Sequence, residues 1–204
     1  MFVIADLPPA EQERVVCSII AAVKYELPAN IVLAVAGQEG GKPGQWMKNK
    51  NGTYDVGPMQ FNTGYLADLS KYGITAQDVE KSGCYSYELA AWRIRSHVLS
   101  DKGDLWTRVA NYHSRTPQHN AIYRQKIMQR AIKWADWLNE RFSTYNVSQE
   151  AVTNNGKGTA IPESKAISTA EGKTQASRQE PTSNRARSPA QTSYTPRTIT
   201  AKQQ

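Results

Sequence analysis

Apolar positions in the first 142 residues recur mostly at helical spacing. Val15, Val16, Ile19, Ile20 and Val23 repeat every three or four residues behind Pro8-Pro9, with Glu11 and Glu13 placed to favour a first turn. They predict a helix that ends at Leu27-Pro28, the proline then suiting the first position of the next helix. That second helix, Ala29–Glu39, differs in kind. Ile31, Val32, Leu33, Ala34, Val35 and Ala36 make it apolar almost all round, which predicts burial. Gly40-Gly41 can end it through left-handed conformations.

Residues 45–59 break the period. Trp46-Met47-Lys48, Asn51-Gly52 and Thr53-Tyr54-Asp55-Val56 read as a small hairpin. Helical signals then return. Asn62 and Thr63 can cap a short helix over 64–69, and Thr75-Ala76-Gln77-Asp78 resembles a capping box with Asp in its last place. Residues 84–99 carry Leu89, Trp92, Ile94 and Val98, and Asp104 caps a helix over 105–112. His113 to His119 is a loop containing Pro117. A long helix over 120–142 then carries Ile122, Ile127, Ala131, Trp134 and Leu138. The expected fold class is mainly α: a helical domain with one small β-hairpin and no internal repeat.

Composition divides the 204 residues in two. All five Trp, all three Phe and eight of the ten Tyr lie at or before Phe142. About 140 residues suffice for a self-standing core. From Ser143 onward the chain is rich in Ser, Thr, Ala, Gln, Lys and Arg, and it cannot bury enough apolar surface to offset its ordering entropy. The expected organisation is one domain over 1–142 and a disordered basic tail over 143–204. Net charge is +7, with eight basic and four acidic residues in the tail. Such a charge suits an anionic polymer without selecting one, and ordinary solubility explains it equally well. No apolar run approaches the roughly 20 residues of a membrane span. Met1–Ala5 is too short, and lacks the basic flank, to read as a signal peptide.

Candidate chemistry centres on Glu39. A carboxyl group there sits at the end of the most apolar helix, where the helix dipole is also negative. Both effects raise its pKa, and an acid kept protonated near neutrality is what glycosidic cleavage needs. Glutamates at helix ends ordinarily point into water, so this residue alone leaves both readings open. Cys17 and Cys84, by count alone, favour two buried free thiols. His97, His113 and His119 lack a metal-binding spacing, and no cofactor is called for. Arg93, Arg95 and Arg108 beside Trp92 and Trp106 are read as snorkelling side chains next to core Trp rather than a nucleic-acid patch.

The order of segments carries more than any one of them. An apolar helix ends in Gln38-Glu39-Gly40-Gly41, a hairpin follows, then Gly57-Pro58-Met59-Gln60, then Val109-Ala110-Asn111-Tyr112-His113-Ser114, and finally Tyr123 on the last helix. Over about residues 14–142 this order resembles the lytic transglycosylase (SLT) family and the wider goose-type lysozyme group. The segments Glu-Gly-Gly-Lys-Pro-Gly-Gln, Gly-Thr-Tyr-Asp-Val-Gly-Pro-Met-Gln and Asn-Tyr-His-Ser-Arg-Thr-Pro are similar to the members that accompany conjugal transfer and type IV secretion. The resemblance implies a lysozyme-like fold with the hairpin beside the active-site cleft. It implies a peptidoglycan lytic transglycosylase that cuts the β-1,4 bond between MurNAc and GlcNAc and leaves a 1,6-anhydromuramoyl end. Glu39 would be general acid and then base. Met59 and Gln60 would floor the cleft and bind the sugar. Tyr112, His113 and Tyr123 would contact or orient substrate and acid. Three positions depart from the family pattern: Gly40 for Ser, His113 for Asn, and Pro58 for Leu.

Further expectations stand beside this resemblance. Asp55, just before Gly57, is a possible second carboxylate facing Glu39, which would restore a hydrolytic muramidase; a strand-end Asp bound to backbone is the favoured alternative. Cys17 and Cys84 match a cysteine pair of the same subgroup. A bridge between them would close about 67 residues, worth roughly 4 kcal/mol. It would also imply an oxidising compartment, the periplasm, although no signal peptide is visible. The implied partners are glycan strands and conjugation or type IV secretion components, with no specific nucleic acid. A non-catalytic glycan-binding assembly factor and a basic DNA-handling protein are the rival classes; the latter shows no recognition motif.

Overall fold

A computed structural model describes residues 7–142, 144–146 and 197–199. Its centre is α2 (Ala29–Glu39), where every residue from Ala29 to Ala36 is buried, as the unbroken apolar run predicts. Helix α1 (Pro9–Lys24) packs across it, and α7 (Pro117–Arg141) lies along its other side. Helix α5 (Tyr85–Ser100) packs on α1, and α6 (Leu105–Ala110) bridges α5 and α7. The architecture is mainly α with one small antiparallel sheet.

Helix α1 forms where its spacing predicts, but buries a different face. Cys17, Ser18, Ala21 and Ala22 join Val15 against the core, while Val16, Ile20 and Val23 are exposed. Small side chains let α2 and α5 approach closely; larger ones at those positions would hold the helices apart. Cys17 and Cys84 form a disulfide with Cα atoms 4.7 Å apart, joining mid-α1 to the start of α5, so the count-based expectation of two free thiols does not hold. Cross-links of this kind persist in oxidising compartments.

The hairpin is the larger part of a three-stranded sheet. Strand β1 (Trp46–Lys48) pairs antiparallel with β2 (Tyr54–Val56), placing Trp46 opposite Val56 and Met47 opposite Asp55. The added strand β3 (Phe61–Asn62) sets Asp55 opposite Asn62. Two residues are too short to show a period, so the apolar pattern carries no sign of this strand. Asn62 caps α3 (Thr63–Leu69) by accepting from the Gly64 N–H at 2.9 Å. Thr75 and Asp78 form the expected capping box on α4 (Ala76–Val79). Asp104 accepts from the Thr107 N–H at 2.8 Å to start α6, which ends at Ala110 rather than 112.

Helix α7 begins at Pro117, three residues earlier than the pattern predicts, because proline fits the first turn where no N–H is needed. Tyr123, Ile127, Ala131 and Leu138 face inward, whereas Ile122 is exposed. Beyond Phe142, β4 (Thr144–Asn146) pairs antiparallel with β5 (Arg197–Ile199), and β5 lies against α2. Those six residues are strand where a disordered tail is expected; the rest of 143–204 lies outside the described residues. No helix among the described residues is long and apolar enough to cross a membrane.

Candidate active site

Helix α2 delivers Glu39 to the wall of a cleft. Gly40 takes φ +60° as the C-cap and turns the chain away at once, so the carboxyl group is the last thing the helix presents. The cleft, about 640 Å³, runs between Glu39, the sheet residues Asp55 and Asn62, Arg93 of α5 and the His113–Ser114 turn. A second hollow of about 260 Å³ shares Glu39, His113 and His119 with it and is also lined by Gln38, Ile122, Tyr123 and Lys126.

The acid is held from α7. The Tyr123 hydroxyl donates to Glu39 Oε1 at 2.5 Å, and the His113 ring stacks on Tyr123 at 4.7 Å, nearly parallel. Burial raises the Glu39 pKa to about 7, and the nearby negative charge of Asp55 adds to the rise. The Tyr123 hydrogen bond and Arg93 pull the other way without cancelling it. Near neutrality the group therefore exchanges its proton readily, as a general acid and base requires. Burial, with the carboxyl of Glu39 adjoining, pushes the phenols of Tyr112 and Tyr123 well above their usual value, so both remain donors. Withdrawal of the His113 ring from water lowers its pKa, and His119 and Lys126 add to the effect.

Beneath the cleft a second set of contacts fixes its shape. Tyr112 is buried and donates to the Met59 carbonyl at 2.8 Å. Phe61 meets the Tyr112 ring edge-on, and the Arg93 guanidinium lies 4.8 Å from the same ring and 4.0 Å from that of Tyr65. Met59 has no exposed surface, so it supports the floor from below rather than lining it. Gln60 does line the cleft. Its backbone is left-handed, at φ +50°, and its side-chain amide donates to the Gly57 carbonyl at 2.8 Å. Gly41 is required for a separate reason: a Cβ there would lie 2.2 Å from the Gly57 oxygen and 2.5 Å from Gln60 Nε2. The second glycine thus permits the helix end and the Gly57–Gln60 turn to touch.

Asp55 faces the same cleft as Glu39. Asn62 Nδ2 donates to Asp55 Oδ1 at 2.9 Å, so a side chain from β3 holds it, not the backbone contact favoured from sequence. Glu39, Asp55, Gln60, Tyr112, His113 and Tyr123 therefore come together around one cleft system, and Met59 lies just under it.

Arg93 is the participant that sequence reasoning places elsewhere. Trp92, its expected core neighbour, is exposed, and the three arginines diverge: Arg95 donates to the Tyr25 carbonyl and Arg108 to the Val98 carbonyl. A signal for Arg93 exists in the chain. Leu89, Arg93 and His97 fall four residues apart on one helical face, and the two flanking residues are buried. A cation on a buried face points to a partner.

No protein-family model matches the chain. Over 111 residues it is 28% identical to the invasion protein IagB of Salmonella typhimurium, and equally to the proteins of that name from a second strain and from Salmonella typhi. The matched stretch is 54% of this chain and 69% of each relative.

Proposed function

We propose that the chain is a peptidoglycan lytic transglycosylase with Glu39 as its catalytic residue and residues 1–142 as its working domain. The observation that carries this reading is a carboxyl group with a pKa of about 7, bonded to Tyr123 and opening onto a cleft lined mostly by polar residues. Protonated Glu39 gives its proton to the glycosidic oxygen leaving C1 of MurNAc. The N-acetyl oxygen of the same sugar supports C1 as the bond breaks. Glu39, now a carboxylate, takes the proton from the C6 hydroxyl, whose oxygen bonds to C1. Glu39 ends protonated as it began, and no water is consumed. Gln60 and His113 bind the sugar, and Tyr112 and Tyr123 hold floor and acid in place.

The similarity to proteins named for invasion supports a role at the bacterial envelope, and the Cys17–Cys84 bridge supports the periplasm. Local wall opening for a conjugation or type IV secretion apparatus is the corresponding biological role. One observation favours a second reading. Asp55 shares the cleft with Glu39, and a second carboxylate can serve hydrolysis. Mass spectrometry of muropeptides released from purified sacculi decides: anhydromuramoyl ends support transglycosylation, reducing ends support a muramidase. Sacculi that both wild type and Glu39→Gln bind but neither cuts would leave a glycan-binding assembly factor.

A further inference from the structure

The hollow beyond Tyr123 does not end at Lys126. Lys126 and Gln38 also border a third groove, about 420 Å³, whose other walls are Gln129, Arg130 and Lys133. Lys126, Arg130 and Lys133 stand four and three residues apart on one exposed face of α7. Like charges at such spacings weaken a helix, and the nearest acidic residue on α7 is Asp136, three residues beyond Lys133. Lys126 and Lys133 form no ion pair among the described residues. Arg130 is tied to the acid's own helix: its Nε donates to Gln38 Oε1 at 3.1 Å, one residue before Glu39. The groove is thus cationic and joined to the candidate active cleft through shared walls.

We infer that this groove binds carboxylate groups of the peptide stems carried by the glycan strand in the cleft, so that the enzyme selects peptide-bearing over peptide-free wall. The inference rests on the proposed function above. In such a strand the sugars are neutral and the carboxylates sit on the peptide stems, and the cationic groove on α7 shares Gln38 and Lys126 with the hollow that Glu39 lines. Lysine and arginine on an open face suit such contacts, because exposed pairs are individually weak and give selection without trapping the polymer.

The test compares three soluble glycan probes: strands with intact stems, the same strands with stem carboxylates amidated, and strands stripped of peptide by an amidase with the freed lactyl carboxylates then amidated. Wild type should cut the first about tenfold faster than the other two at low salt, as a few exposed charge contacts can supply, and the preference should fade as salt rises. Arg130→Gln/Lys133→Gln should cut all three at the wild-type rate for stripped strands, and Arg130→Lys/Lys133→Gln should recover part of the preference. Equal cutting of all probes by wild type overturns the inference and leaves cleavage standing. A double variant that keeps the wild-type preference while losing affinity for DNA or anionic vesicles also overturns it. Failure of wild type to cut any probe overturns the cleavage reading, and the groove's role with it.

Discussion

Replacing Glu39 by Gln separates two consequences of sheltering an acid. Gln keeps the side chain's volume and can still accept from Tyr123, but it neither gives nor takes a proton. Loss of a general acid costs typically about 10²–10⁴-fold in rate, so wall digestion should nearly stop. Stability should move the other way, and only at high pH. An unfolded chain ionises Glu39 near the ordinary 4.5, the folded chain near 7. Between those values the folded state holds a proton that the unfolded state has released, so stability falls as pH rises through this window and then levels off. Each tenfold change in acidity is worth about 1.4 kcal/mol, so the displacement from 4.5 to about 7 amounts to about 3 kcal/mol. The variant escapes this loss. Urea unfolding of wild type and Glu39→Gln at about pH 4 and about pH 9 should show the variant gaining about 3 kcal/mol relative to wild type across the interval, other groups cancelling in the comparison. A difference that stays constant with pH would refute the sheltered acid; so would a variant that digests sacculi at the wild-type rate.

The remaining expectations follow from the same contacts. Tyr123→Phe removes the bond that pulls the Glu39 pKa down, so the alkaline limb of the pH–rate profile should move to higher pH while the maximum rate drops. Asp55→Asn removes the neighbouring charge that raises Glu39, so that limb should move to lower pH; anhydromuramoyl products should persist, and their loss would mark Asp55 as a reacting group. Cys17→Ser should cost roughly 4 kcal/mol by loop closure, read as a lower Tm that reductant no longer changes.

Local features of this chain are written locally. An unbroken apolar run makes α2 a buried helix, and a carboxyl at its end stands out in the bare order of residues. Asn62, Asp104 and the Thr75–Asp78 pair cap their helices because a cap needs only neighbours within one turn. Which face turns inward is a different matter. Helix α1 exposes Val16, Ile20 and Val23 because close helix packing outweighs the larger apolar face, and Trp92 is exposed while Arg93 reaches Tyr112. The site depends on the same kind of distant choice. Tyr123 meets Glu39 across 84 residues of sequence, Asn62 holds Asp55 through a strand of two residues, and Met59 slips under the floor it is expected to form. Periodicity reports the character of a segment, because that is decided within a turn or two. What lies opposite it is decided by how distant segments exclude water together, and only the folded chain records that.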